Sequence, residues 1–257
     1  MLKRLVEFLR RGPRHVAKRI YVRAFGPAAP CFRIASPHLA GKGIEVGGPS
    51  TIFQRRQWLP VYPIAGSLDG CNYSNSSVWE GEIAEGRNYR FGNRVGYQYI
   101  CDAAEIRVAD GAYDFLISSH MIEHSANPIR VLNEWRRVIC EGGHLMLVVP
   151  DGRLTWDRIR GKTTMRHLVD DFVAETGEDD TTHLAEVLAV SEPNAEFPTR
   201  EALRDMIYRN FDHRMVHQHV FDQALVEELV RHAGFEVLAS ETADPFHIIV
   251  FARKLTH

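Results

Sequence analysis

Short apolar runs alternate along this chain with longer stretches whose apolar positions recur every three or four residues, a pattern that predicts strands and helices in turn. Gly43-Ile44-Glu45-Val46-Gly47-Gly48 reads as a buried strand that ends in glycines. A second strand is expected from Val61 to Leu68, ending at Asp69, and a third from Tyr97 to Cys101, ending at Asp102. Tyr113 to Ser118 is the clearest central strand. Ile129, Val131, Leu132, Trp135, Val138 and Ile139 then fall on a helical period over Asn127 to Ile139. Glu141-Gly142-Gly143 should end that helix, because glycine accepts the left-handed geometry of a C-terminal cap. His144 to Val149 is the next strand, stopped by Pro150; a helix from about Gln223 to Ala233 and strands at Phe235 to Ser240 and His247 to Ala252 complete the series. Such alternation implies an α/β fold, doubly wound, with a mostly parallel sheet covered by helices on both faces.

Two stretches break the pattern. From about 152 to 215 the chain is helical in period, as at His167 to Ala174 and Thr182 to Val190. Its middle is acidic, with Asp170, Asp171, Glu175, Glu178, Asp179 and Asp180. This is read as a helical insert capping the sheet edge where ligands bind. The other exception is the start. Residues 1 to 25 hold eight lysines and arginines against the single acid Glu7, a charge of +7, which leaves −9 on the rest of a chain whose formal total is −2. Leu2, Leu5, Val6 and Leu9 repeat at helical spacing, Pro13 interrupts, and Val16, Ile20 and Ala24 resume. The apolar core of a secretory signal peptide is missing. A basic helix packed on the body, peripheral contact with an anionic membrane surface or acidic partner, and an organelle presequence all stay open as readings of this segment.

Composition narrows the class. The 257 residues are 45% hydrophobic and 25% charged, enough to bury a core and too few charges for disorder as the main state. No run approaches the roughly 20 apolar residues that span a bilayer. Cys31, Cys71, Cys101 and Cys140 are widely spaced, with no CxxC pair, so a reducing compartment, the cytoplasm, is the expectation. A negative body with no basic stripe of interleaved aromatics argues against nucleic acid.

In an open parallel sheet, ligands lie beyond the carboxyl ends of the strands. Four strand ends carry suitable groups: Glu45-Val46-Gly47-Gly48, Asp69, Asp102, and Ser118-Ser119-His120. Glycines let the backbone approach a ligand, and a strand-end acid can accept hydrogen bonds from ribose hydroxyls. The same acids also suit helix caps. The full GxGxxG fingerprint is absent, since the turn reads Gly47-Gly48-Pro49-Ser50, and this disfavours a nicotinamide dinucleotide. Glu45 would repel a pyrophosphate yet suit the ammonium of an amino-acid ligand.

The segment from Tyr97 to Pro150 resembles the core of class I S-adenosylmethionine-dependent methyltransferases, in the broad small-molecule group called type 11. The shared elements are Asp102-Ala103, Tyr113-Asp114, Ser119-His120 with Glu123-His124, a helix ending in Arg137-Val138, and Gly142-Gly143. With the Glu45 to Gly48 strand end and the Gly234-Phe235 strand, the resemblance covers about 40–150 and 217–253. It implies a Rossmann-like sheet of seven strands with the last antiparallel, and S-adenosyl-L-methionine as cofactor. By position it implies that Glu45, Gly47 and Gly48 line the methionine end, Asp69 holds the ribose, Asp102 and Ala103 meet the adenine, and Ser119 and His120 lie beneath the sulfonium. Pro49-Ser50 depart from the pattern. The long connection from Gly70 to Gly96 exceeds the minimal fold and can supply substrate contacts. The organisation expected is a basic amphipathic helical leader over 1–30, a methyltransferase core over 31–151, the cap over 152–215 and completion of the core over 216–257.

Methyl transfer to a neutral hydroxyl also requires a base, and histidine is the natural one near neutral pH. His124, four residues beyond His120, is the first candidate, with His120 second. A role for His124 and Glu123 in pinning their loop is the alternative. His217 and His219 in MVHQHVFD are expected to face one side together and bind the acceptor, with helix-entry packing as the alternative. Asp212 and His213 beside them, or Asp151, could ligate a divalent ion, but no spacing fixes a geometry and no metal is assigned. The function expected is O-methylation of a small polar acceptor such as a sugar, or a hydroxyl on a lipid-linked glycan. N-methylation of a small molecule and a cofactor-binding but catalytically idle partner protein are the alternatives.

Overall fold

The computed structural model describes residues 28–256 apart from Asn194 and Glu196, so the basic leader expected over 1–30 lies almost wholly outside the described residues. A short helix α1 (Pro30–Ala35) leads into β1 (Lys42–Val46) and β2 (Ser67–Asn72). A two-residue ribbon, β3 (Ser76–Ser77) and β4 (Gly81–Glu82), precedes β5 (Gly86–Phe91), β6 (Arg94–Ile100) and β7 (Tyr113–Ser119). Helix α2 (Pro128–Val138) joins β7 to β8 (Ile139–Pro150). The chain then leaves the sheet for α3 (Met165–Val173), α4 (Leu184–Val190), α5 (Arg200–Tyr208) and α6 (Asn210–His213). It returns with α7 (Gln223–His232), β9 (Phe235–Ala243) and β10 (His247–Lys254).

The sheet order is β5-β6-β2-β1-β7-β8-β10-β9. Strands β6, β2, β1, β7 and β8 run parallel, and β10 is antiparallel to both its neighbours. The sheet has eight strands where seven were expected. The extra one is β5, which folds back antiparallel on β6 and comes from the long Gly70 to Gly96 connection. Strand order reverses at β1, with β2 on one side and β7 on the other, so the crevice above the ends of these strands is where a ligand site belongs.

Two other expectations shift. Val61 to Ala65 forms a buried turn, and strand β2 begins only at Ser67: burial of Val61, Tyr62 and Ala65 produced an apolar run without strand pairing. Asp69 is therefore in mid-strand. The helix after β7 ends at Val138 without using Gly142 as a cap. Strand β8 starts at Ile139, and the register slips between the pairs Tyr113–Ile139 and Phe115–His144, so Gly142 (φ 71°) sits in an irregular strand segment.

Because the strands are covered on both faces, alternate residues enter two separate cores. Leu116, Leu145, Leu147 and Val250 pack under α2 and α7 against Leu132, Trp135 and Leu229. Phe115, Ile117, Met146 and Phe251 pack the other way against Leu39, Phe53 and Leu59. Each such side chain contributes roughly 1.5–3 kcal/mol relative to exposure. Helix α2 is started by Asn127, whose Oδ1 accepts from Arg130 N at 3.1 Å, with Pro128 in its first turn. The segment between β8 and α7 has a small core of its own, Leu184, Val187, Leu203, Ile207 and Val216. Among the described residues no helix is long and apolar enough to cross a membrane.

Candidate active site

Beyond the carboxyl ends of β1, β2, β6 and β7 lies a cleft where ligands of such sheets bind. Val46, Ala103, Met121 and Val131 give it apolar walls; Asn72, Asp102, His120 and His124 supply the polar groups. Trp79, from the ribbon after β2, and Arg214, from the end of α6, close its outer side. Gly47 lines it too, at φ 80°, and a Cβ there would stand 2.8 Å from Met121 Cγ. The backbone thus comes as near the ligand space as only glycine allows.

Glu45 stands behind that turn and is fully buried. Its Oε2 accepts from Tyr62 OH at 2.7 Å and Tyr89 OH at 2.5 Å, and its Oε1 accepts from Ser50 N at 2.8 Å. Burial pushes its carboxyl up to about 6, while the three donors oppose the rise. A Cβ on Gly48 would lie 2.3 Å from Glu45 Cδ and 2.5 Å from Tyr89 OH, so Gly48 is set by this network. Glu45 holds the glycine turn in place and is not among the residues that line the cavity.

Asp69 is placed elsewhere. Its Oδ1 accepts from Tyr97 N at 2.8 Å and its Oδ2 from Tyr113 OH at 2.9 Å, so it ties β6 and β7 across the sheet, and it does not line the cavity. The residue at the end of β2 is Asn72, which lines the cavity and donates from Nδ2 to Gly48 O at 2.9 Å. Reading the second strand a few positions early moved its end onto Asp69. The polar run Asn72-Tyr73-Ser74-Asn75 was the signal that marked the true end. Asp102 and Ala103 line the cavity just past β6. Asp102 Oδ1 accepts from Ala104 N at 2.8 Å, and Oδ2 pairs with Arg214 Nη1 at 2.8 Å. The Arg214 guanidinium lies 4.8 Å over the Tyr73 ring. Ser119, at the end of β7, faces a neighbouring cleft with Phe246 and His247, and His120 borders both spaces.

Histidines crowd the rim. His120 is held at φ 52° and shares a hydrogen bond from Nε2 to His247 Nδ1 at 2.8 Å. Burial, with His247 and His217 nearby, brings its proton affinity down to about 3. His124 donates from Nδ1 to Val216 O at 3.1 Å, which leaves the lone pair on Nε2. Burial holds it well below the ordinary imidazole value, so it is neutral at pH 7. Between them sits Glu123, fully buried, with neither carboxylate oxygen hydrogen-bonded among the described residues. Its Oε1 is 3.6 Å from His120 Nδ1 and 3.9 Å from His124 Nε2. His217 packs edge-on against His124, ring centroids 4.7 Å apart, and donates from Nδ1 to Asp157 Oδ2 at 2.6 Å. Asp157, 60 residues away in sequence, has no local signal and was missed.

The expectation that His217 and His219 face one side is corrected. Gln218 N and His219 N both donate to Glu123 O, and the side chains diverge. His217 packs against His124 and Trp156, whereas His219 is buried against His167 and His183, and neither lines the cavity. Glu123, His124 and His217 have potential ligand atoms within 4.8 Å of one another, so this rim group could also hold a cation.

Burial pushes Glu123 up to about 7, and the folded chain binds its proton more tightly than the unfolded chain. Its contribution is therefore full below about pH 4.5 and is lost as pH rises through 7, a change on the order of 3 kcal/mol. Glu123→Gln stays neutral. In urea titrations the variant should gain on the parent between pH 5 and pH 8 by about that amount; parallel pH profiles would contradict the buried-carboxylate account.

The cleft brings together a glycine turn, an Asp-Ala segment and apolar walls. A family described as "Methyltransferase domain" matches residues 40–240, more than half of the chain. No curated protein sequence matches. Among solved structures, a S-adenosylmethionine-dependent methyltransferase from Methanosarcina mazei is 16% identical, with a TM-score of 0.50, over 84% of this chain and 93% of its own. Another, from Mesorhizobium loti, is 13% identical, with a TM-score of 0.49, over 88% of this chain and 96% of its own. Sheet order, strand-end cavity and family match agree, and the chain belongs to the class I S-adenosylmethionine-dependent methyltransferases.

Proposed function

We propose that this methyltransferase transfers the methyl group to a hydroxyl of a small polyol, a sugar or a glycan-borne sugar, with His124 as the base. The observation that carries the reading is the buried Glu123, without a hydrogen bond among the described residues, lying between His120 and His124, which line the cavity. Gly47, Asn72, Asp102 and Ala103 would hold the cofactor, with Glu45 fixing the turn behind them. The cofactor supplies a methyl group already activated on a sulfonium. The chain's own work is alignment and removal of the acceptor proton.

His124 Nε2 takes the hydroxyl proton. A carboxylate 3.9 Å away offsets the positive charge that forms on the ring. His120, tied to His247 and bordering both clefts, positions the floor of the site. His217 is oriented by Asp157 and faces the acceptor beside His124. Trp79 lies 5.2 Å from the His124 ring and Trp156 5.0 Å from the His217 ring, and both are substantially exposed. Two exposed indole faces flanking a hydrogen-bonding pair suit a sugar ring, which offers C–H faces to aromatics and hydroxyls to histidines.

The test is methyl transfer from labelled cofactor to a panel of monosaccharides, glycosides, phenols and amines. Transfer confined to hydroxyls of sugars is expected. Transfer to amines alone, or none across the panel despite tight binding of S-adenosylhomocysteine, would overturn the acceptor assignment.

A further inference from the structure

The cap carries a second histidine group, which the proposed reaction does not use. His167 and Asp171 lie one turn apart on α3, His183 stands at the start of α4, and His219 lies on the segment that returns to the sheet. The three imidazoles form a nearly equilateral set, with centroids 5.0, 5.6 and 5.6 Å apart and planes inclined by 83°, 66° and 70°. One ring nitrogen of each lies within 4.8 Å of the other two. His167 Nε2 and His183 Nε2 are 3.0 Å apart, and Asp171 Oδ2 is 3.3 Å from His167 Nε2 and 3.8 Å from His219 Nε2.

Four ligands about 2.0–2.1 Å from a tetrahedral ion stand about 3.3 Å from one another, with imidazole centroids about 5 Å apart. The three imidazole centroids match this spacing, the His167–His183 and His167–Asp171 distances of 3.0 and 3.3 Å come close to it, and the three histidines' ligand atoms lie within 4.8 Å of one another. It also has the signs of a centre that needs a cation. Asp171 Oδ2 and His219 Nδ1 are buried without a hydrogen-bond partner among the described residues, and His219 donates from Nε2 to Ala126 O at 3.4 Å, which leaves its lone pair on Nδ1. His183 Nδ1 donates to Glu186 Oε1 at 3.2 Å, which turns its Nε2 lone pair inward, and a carboxylate behind a ligating imidazole is the usual outer support. Without an ion, His167 must place a proton in the 3.0 Å gap between the two Nε2 atoms.

We propose that His167, His183, His219 and Asp171 bind one zinc ion, which ties the cap to the sheet. Three imidazoles beside one carboxylate suit zinc better than magnesium or calcium, which take mostly oxygen ligands. All four positions are filled by protein, as in a structural rather than a catalytic site. None of the four residues lines the cofactor cavity. The effect on the active site is through the chain: His219 N donates to Glu123 O, and His217 is two residues away. Fixing His219 thereby fixes the segment that places His217 against His124.

The test uses the full chain freed of any histidine tag. Metal content is measured after purification, the metal is stripped with a chelator, and Zn²⁺ or Co²⁺ is titrated back. About one zinc per chain, and with Co²⁺ the intense visible bands of a tetrahedral site, are expected. His183→Ala should weaken zinc binding at least about 100-fold. The side chain of His183 makes no helix-capping bond, so that variant should still fold, which far-UV circular dichroism and binding of S-adenosylhomocysteine would verify. His217→Ala should hold zinc like the parent. Zinc lost from His217→Ala but kept by His183→Ala would overturn the assignment in favour of the rim group. Stripped protein that binds Zn²⁺ no tighter than His183→Ala would also overturn it. Neither result depends on the acceptor, so the site and the reaction fail or stand separately.

Discussion

Replacing His124 with glutamine should lower turnover about 100- to 10,000-fold while leaving the affinity for S-adenosylhomocysteine within about threefold. Glutamine keeps a donor for the Val216 carbonyl and much of the ring's volume, so the loop should hold. What disappears is the lone pair on Nε2. The loss should fall on kcat rather than on KM, because a proton acceptor is needed in the transition state and not for binding. A second readout separates this from a structural role. If His124 and Glu123 handle the proton together, the parent's rate should rise with pH through the range where Glu123 ionises, near 7, and the variant's residual rate should not. A variant with parental turnover, or one whose rate merely falls in parallel at every pH, removes His124 as the base.

The other large effect is expected at Gly48. A methyl group there would stand 2.3 Å from a buried carboxylate that three donors hold in place. Neither side can give way cheaply. Moving Glu45 would unpair the hydroxyls of Tyr62 and Tyr89 inside the apolar layer, and moving the turn would displace Gly47 from the cavity wall. Gly48→Ala should therefore cost about 2–4 kcal/mol of stability, the upper range for overpacking combined with a disturbed buried network. It should also weaken S-adenosylhomocysteine at least about 100-fold by calorimetry. Gly47→Ala is the companion variant, because its neighbour Met121 is a flexible side chain and the fold should survive. If both variants bound within threefold of the parent, the glycine turn would not be the cofactor's cradle.

The fold was legible wherever hydrophobic period and chain punctuation agreed. Tyr113 to Ser118, the α2 stripe and the strands near the C-terminus came out close to their observed places because both signals were strong there. The reading slipped where burial and pairing part company. Val61 and Tyr62 are as deeply buried as strand residues, yet they serve a turn, and no single sequence distinguishes the two uses. The strand β5 was missed because Gly86-Arg87-Asn88-Tyr89 alternates only weakly on an exposed sheet edge. For the site, local motifs were readable: Gly47, Asp102-Ala103 and His120 with His124 all line the cavity, while Gly48 packs behind it on Glu45. Partnerships across the chain were not. Asp157 with His217, Arg214 with Asp102, and the imidazole triangle of the cap join residues 16 to 112 positions apart, and only folding brings them together.

The ion pair of Asp102 with Arg214 has a thermodynamic consequence. Asp102 lies just past β6 and Arg214 just past α6, so a ligand that engages Asp102 competes with the contact between these two segments. If the cofactor engages Asp102, its occupancy and the position of Arg214 form a single coupled equilibrium. Reciprocity requires that if the cofactor changes the affinity of an acceptor held under the cap, the acceptor changes that of the cofactor by the same factor, each tenfold amounting to about 1.4 kcal/mol. Order of addition, release of the spent cofactor and discrimination among acceptors would all be governed by one arginine that touches no reacting atom.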